Sequence, residues 1–396
     1  MKKSCTPNLF RRDILLKVGV ILLLVAMFVG LLMVRLKPME TEEIDNGTYG
    51  YYKAKVLEIL YDDAEPDYEY AEGRRVGSQE LKVMFTNGPH KGEIATMDNY
   101  LTTLGNVDAE VGMTVIVRYT DYENGNISII MYNYNRAIAL TVILLIFVAT
   151  IVIIGGKKGL LSLLGLVFML LCFWFLLIPL VMRGHNMLLI TVLIEALTAA
   201  TALLLLNGFS KKTYVAVLGC VAGVLVAGLC VVLVDAITPL TGFNMDEAER
   251  LIFYATSGGM KISGLLVCGV LISTLGAVMD VAMTISSSIQ EVHEADPTLP
   301  AGKLFKSGMN VGKDAMGTMS NTLILALFGS SLNTFILTMA YEIPFSQLLN
   351  TDFIIVEVVR GIAGTVGVIM TIPFVAFLSA RVLAKRQETK NLKQAQ

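Results

Sequence analysis

Charge is scarce in this sequence: of 396 residues only 16% are Asp, Glu, Lys or Arg, against 55% hydrophobic. Both values depart from those of ordinary soluble domains, so much of the surface has to be covered by lipid. Histidine is scarcer still. His90, His185 and His293 fall in separate segments, which supplies neither a zinc site nor a histidine-based triad. There is no Gly-x-x-x-x-Gly-Lys-Ser/Thr phosphate cradle, no Gly-x-Ser-x-Gly and no His-Glu-x-x-His, so no enzyme, no metal and no cofactor is expected. The five cysteines write no disulfide framework. Cys172, Cys220, Cys230 and Cys268 lie in apolar runs, Cys5 lies in the basic N-terminus, and residues 35–136 have none. The basic residues are short flanks of apolar runs, not a stripe on a folded surface, which excludes nucleic acid as a partner.

Long apolar runs are abundant. A helix needs about 20 residues to cross a hydrocarbon core of ~30 Å. Lys2, Lys3, Arg11, Arg12 and Lys17 precede the apolar run Val18–Val34, which is followed by Arg35-Leu36-Lys37-Pro38 in place of a small-residue cleavage site. Residues 14–34 therefore read as an uncleaved signal anchor. Seven further runs, 137–154, 160–182, 187–206, 213–234, 262–288, 319–340 and 354–379, bring the expectation to eight spans. With the N-terminus inside, segments 1–13, 155–159, 207–212, 289–318 and 380–396 are cytoplasmic and collect nearly all the Lys and Arg outside residues 35–136. The short outer segments hold only Arg183, Arg250 and Lys261. This bias is the one that orients bacterial-type plasma-membrane proteins, so both termini are expected in the cytoplasm and residues 35–136 outside it.

That insert carries 18 acidic against 10 basic residues. Tyr51–Leu60, Gln79–Thr86, Glu93–Met97, Met113–Thr120 and Ile127–Asn133 are β-branched or aromatic runs between turn signals such as Asn87-Gly88 and Asn124-Gly125. Alternation is clear at 114–119 and weak at Lys82-Val83-Met84-Phe85. Five short strands point to a small barrel of the OB or SH3-like kind. The acidic stretch from Asp62 to Tyr70 lacks the spacing of a calcium loop and reads as solvated. The organisation expected is thus a basic flank and anchor (1–34), an extracytoplasmic β-domain (35–136), a seven-span bundle (137–379) and a basic tail (380–396).

Ionisable groups inside a membrane cost about 2.5–3.5 kcal/mol each on insertion scales and mark function more often than other residues do. Glu195 lies mid-span, before Thr198 and Thr201, and is either a protonatable, substrate-facing carboxylate or a structural hydrogen-bonding group. Asp280 shares a helical face with Ser273 and Thr284 and either handles a proton or solute or pairs with Asn321 or Arg360. Glu357 and Arg360, three apart, are placed for a local ion pair. Gly219-x-x-x-Gly223 and the series Gly361, Gly364, Gly367 permit close helix packing, Pro373 sits inside the last span, and Leu299–Met316 has the pattern of an amphipathic helix on the inner leaflet.

Three stretches stand out: Thr274-Leu-Gly-Ala-Val-Met-Asp-Val-Ala-Met-Thr-Ile-Ser286, Asn321-Thr-Leu-Ile-Leu-Ala-Leu-Phe-Gly-Ser-Ser331 and Val359-Arg-Gly-Ile-Ala-Gly-Thr-Val-Gly-Val368. Together they resemble the YibE/F-like family of bacterial multispanning proteins. The resemblance covers roughly residues 130–385, and the anchor with its β-domain looks like the longer form of the family. It implies that Asp280, Asn321 and Arg360 are the family's intramembrane polar groups. Where the family often has a Pro after the Ser-Leu that ends the second stretch, this chain has Asn333. The resemblance implies an architecture and carries no activity with it.

Two functions fit these features. One is a secondary transporter or permease moving an ion or small polar solute, with Glu195, Asp280, Asn321, Glu357 and Arg360 as its polar candidates. The other is an assembly or sensing protein whose outer β-domain binds an envelope partner. Expected partners are the lipid bilayer, a proton or small polar solute, and a further copy of the chain or another family member.

Overall fold

The computed structural model describes residues 28, 48–68, 73–102, 105–122, 127–238, 251, 262, 264–348 and 350–394. The expected anchor at 14–34 lies outside the described residues apart from Phe28, which is helical. The chain divides into two compact units, Glu42–Thr150 and Met1–Thr41 with Ile151–Gln396.

The first unit is built on strands β1 (Thr48–Asp62), β2 (Glu65–Pro66), β3 (Arg75–Phe85), β4 (Ile94–Leu101), β5 (Thr114–Asp121) and β6 (Ile127–Tyr134). They form an antiparallel sheet in the order β2-β3-β1-β5-β6, with β4 on β3. β1 is long enough to pair with β5 through its first half and β3 through its second. Register shifts at Val56/Glu58 and Ile59/Tyr61 bend it within the half that pairs with β3. Strands β4 and β6 come close, so the sheet is curled. The alternation that looks weak in sequence at 82–85 is regular in the fold: Leu81, Val83 and Phe85 point inward and meet Ala54, Val56, Met97, Val115 and Val117 in one core. Met84, apolar but outward, is what obscured it.

Within the acidic stretch, Glu65-Pro66 forms the short β2 against β3. Asp63 accepts from the Ser78 amide and hydroxyl at 2.6 and 2.9 Å. Among the described residues no group of three or more His, Cys, Asp or Glu could hold a metal.

Helices follow: α1 (Ala137–Cys172), a π turn at Phe173–Leu177, α2 (Ile178–Met182), α3 (Met187–Asn207), α4 (Lys211–Ile237), α5 (Gly264–Ala295), α6 (Ala301–Ser330), α7 (Leu332–Ala340), α8 (Phe345–Leu348) and α9 (Asp352–Gln394). Among the described residues five helical elements are long and apolar enough to cross a membrane. A sixth is added if the pair Ala301–Ser330 and Leu332–Ala340, bent by 58°, is one span. The expectation was eight. Runs 137–154 and 160–182 form one element of 46 residues, broken at Gly156, whose φ of 53° and ψ of −132° are non-helical. That backbone region is open to glycine almost alone. The break brings Gly159 against the Ile151 carbonyl, whereas eight residues of straight helix would hold them about 12 Å apart.

Small residues set the packing of α3, α4, α5, α6 and α9. A β-carbon on Gly367 of α9 would lie 2.9 Å from the Gly223 carbonyl of α4, and one on Gly364 would lie 2.9 Å from Thr274 Oγ1 of α5. These backbones touch because those side chains are missing, as the glycine spacing predicts. Leu299–Met316 does not form an interfacial helix lying alone. Apart from Leu299 and Pro300 it is the first half of α6, whose Leu304 is buried in the bundle core with Phe305, Met309 and Met316 packed on it. Its Gly308 and Gly312 meet Ile289, Ala376, Ile285 and Ile372. The amphipathic pattern therefore records burial against α5 and α9, which both run past the ends expected for their spans. The break after α6 falls at Ser331, so the Pro absent at Asn333 is not needed for it. Phe328 and Phe335 stack across the bend, centroids 4.6 Å apart.

Candidate functional site

Glu195 lies in the middle of α3, a helix started by the Asn186 side chain, which accepts from the Leu189 amide at 3.1 Å. On either side of it are Ile194, Leu197, Thr191 and Thr198, all fully enclosed, and Glu195 itself is 1% exposed. Neither carboxyl oxygen has a hydrogen-bond partner among the described residues. The polar groups around it are occupied elsewhere. Thr198 donates to the Glu195 backbone carbonyl at 3.1 Å, and Thr191, one turn before, shares a hydrogen with Cys268 of α5 at 3.1 Å. Cys220 of α4 and Cys268 are within electrostatic reach of the carboxylate. A carboxyl group so enclosed costs a few kcal/mol when neutral and far more when charged.

Glu357 and Arg360 form the ion pair that their spacing predicts, Nη1 to Oε1 at 2.6 Å, with both side chains about four-fifths buried. Only half of each group is used: Glu357 Oε2 and Arg360 Nε are buried without a partner among the described residues. Arg360 rests on α5 at Gly269. Cys268, the residue before Gly269, is the one that bonds Thr191, one helical turn before Glu195 on α3. Glu357 also borders a groove of about 220 Å³ beside the α6–α7 break, lined by Ile324, Leu327, Phe328, Phe335 and Val358.

Asp280 and Asn321 pair neither with each other nor with Arg360. Both are exposed, and the exposed stripe of α5 runs Ser273, Gly276, Asp280, Thr284. No hydrogen bond or ion pair to Asp280 is formed among the described residues. The structure thus joins Glu357 to Arg360, encloses Glu195 one helix away, and leaves Asp280 on a polar face. Cys268 and Thr191 have no signature in sequence that would put them beside Glu195. Only the fold brings α3 and α5 together there.

In the other unit, a polar cluster pins residues 105–109 to the sheet. Gln79, 1% exposed, donates to Asp62, Asp108 and the Ala109 carbonyl and accepts from Asn99 and the Ala109 amide. Arg75 bridges Asp62 at 2.7 Å and Asp108 at 2.9 Å. Partial burial pushes the Asp62 carboxyl up, but hydrogen bonds from Gln79, Arg75 and the Ala64 amide outweigh it and hold the group below its ordinary value. Arg75 is raised, chiefly by its bond to Asp62. Every carboxylate here is satisfied, which makes the cluster a structural clamp.

Long apolar helices packed through glycines, with an enclosed carboxyl and a buried ion pair among them, define a membrane-embedded helical protein, here joined to a curled β-sheet unit. Residues 143–385 match the model of the YibE/F-like proteins. The chain belongs to that family. No curated protein and no solved structure matches it.

Proposed function

We propose that the chain is a secondary transporter or permease of a bacterial plasma membrane, in which Glu195 takes up and releases a proton, or holds a small polar solute, inside the bundle. The observation that carries this reading is the enclosed Glu195 carboxyl with both oxygens unpartnered among the described residues. A carboxyl kept for helix registration would be hydrogen-bonded, since a half-satisfied polar group destabilises what it is meant to fix. The half-used Glu357–Arg360 pair, which rests on α5 at Gly269, is a second polar station, and the polar stripe through Asp280 offers a route from it to water or to a second copy of the chain.

Eight spans with both termini inside fit the break at Gly156, which divides Ala137–Met182 at Lys157 and Lys158, and fit the placement of Lys and Arg. The β-domain is then extracytoplasmic. Reconstituted protein on a solid-supported membrane tests the function. Steps in pH, sodium or phosphate are expected to evoke currents above those of empty liposomes. Currents lost in Glu195→Gln and reduced in Asp280→Asn support the roles given. Full currents in both variants, inserted normally, remove the roles, and no current from the wild type removes the function.

A further inference from the structure

The outer face of strands β1, β5 and β6 is aromatic and cationic in a unit that is otherwise acidic. Tyr49, Tyr51 and Tyr132 are about half exposed, with centroids 6.0 Å apart for the first pair and 4.6 Å for Tyr51 and Tyr132. Tyr51 is in register with Arg118, which is in register with Ile130 on β6. Lys53 and Lys55 continue the same face of β1, opposite Ile116 and Thr114. The opposite side of these strands, Ala54, Val115 and Val117, fills the core, so among the described residues of this unit none covers the tyrosines. Residues 48–55, 114–120 and 128–134 contain no Asp or Glu, while 35–136 contain 18. A basic, aromatic patch in an acidic unit calls for an anionic partner that also accepts half-polar rings.

Distance along the chain selects the partner. β6 ends at Tyr134, Arg136 lies over the Tyr134 ring at 5.4 Å, and the apolar α1 begins at Ala137. Tyr132 is therefore within about 17 Å of the first helical residue even if the chain is fully extended. Lys53 and Lys55 lie at the end of the face that is level with Asn133 and Tyr134, the end nearest α1. Tyrosines with cations beside them are the side chains that occupy the boundary between headgroups and hydrocarbon.

We infer that this sheet face seats in the headgroup layer of the leaflet on its own side of the membrane, with Lys53, Lys55 and Arg118 on anionic phospholipid phosphates and the tyrosines among the glycerol groups. It rests on α1 entering the bilayer and needs no transport activity, so failure of the transport reading leaves it standing.

The experiment uses the full chain in nanodiscs, with native cysteines replaced by alanine and an environment-sensitive dye on Ile130→Cys, or on Tyr100→Cys of β4 as the comparison. In discs containing phosphatidylglycerol, the dye at 130 is expected to be shielded from iodide and quenched by headgroup-proximal nitroxide lipid at least about twofold more than at 100. Phosphatidylcholine alone, or Lys53→Glu with Lys55→Glu and Arg118→Glu, should abolish the difference. Equal quenching at both positions in both lipids overturns the inference. So does shielding that appears only when soluble anionic glycan is added, which would assign the face to an envelope polymer. The unsubstituted face carries the decisive reading, so misfolding of the triple variant does not obscure it.

Discussion

Replacing Glu195 by methionine should stabilise the bundle while removing its activity. The side chains are of similar length, so Met fills the space between Ile194, Leu197 and the cysteines of α4 and α5 without a cavity. What it removes is a carboxyl group that is 1% exposed and has no partner on either oxygen among the described residues. A buried polar group left unpaired costs about 1–3 kcal/mol. Relief of that cost raises the midpoint of thermal unfolding by roughly 3–9 °C, at about 3 °C per kcal/mol for a unit of this size. Differential scanning fluorimetry of purified protein in detergent, following the tyrosines and Trp174, reads it. A midpoint lowered by several degrees would refute the reasoning, because Glu195 would then be holding helices together through bonds that the enclosed geometry does not contain. Stabilisation together with lost flux is the signature of a group retained for function at a cost in stability.

Other consequences are separable. Asp62 is held below its ordinary value of 3.8 in the folded sheet. Its contribution is complete above the unfolded pKa and lost as pH falls below it through the folded value. Resistance of the β-domain in the full chain to urea, read by tyrosine fluorescence, should therefore weaken below about pH 4, and Asp62→Asn should start lower at neutral pH and fall less steeply there. An unchanged profile would mean that the clamp contributes nothing. Gly223→Leu would push a side chain into Thr371 and the Gly367 carbonyl and is expected to cost about 3 kcal/mol or prevent assembly, read as a lower midpoint or an aggregated elution profile. Gly156→Ala forces a β-carbon onto a backbone at φ 53° and ψ −132° and should cost about 1–3 kcal/mol although nothing crowds the site, by the same thermal measurement.

Much of this was legible because membrane helices and half-buried strands write long, regular patterns. The apolar runs, the strand positions and the family resemblance follow from residues alone, and the Glu357–Arg360 pair follows from helical spacing. Less visible was whatever depends on which helix faces which. Asp280 reads in sequence as a group that either handles a proton or solute or pairs with Asn321 or Arg360, yet the fold turns it to the exposed side of α5, because Val278, Met279, Val281 and Ala282 occupy the inner side. The sequence sets the start of α6 at 319 where the helix begins at Ala301, because Gly308 and Gly312 weaken the hydropathy of a segment that is buried by close packing. Gln79 carried no signal at all. A lone amide in a strand acquires its role only when Asp62, Asn99 and Asp108 converge on it from three other parts of the chain.

The central claim is that Glu195 exchanges a proton or solute within the bundle. Liposomes loaded with a pH-sensitive dye, containing wild type, Glu195→Gln or Glu195→Asp and driven by an imposed membrane potential, test it most directly. Proton entry should be present in the wild type, absent in Glu195→Gln and partly restored in Glu195→Asp. Equal entry in the wild type and Glu195→Gln would contradict the account.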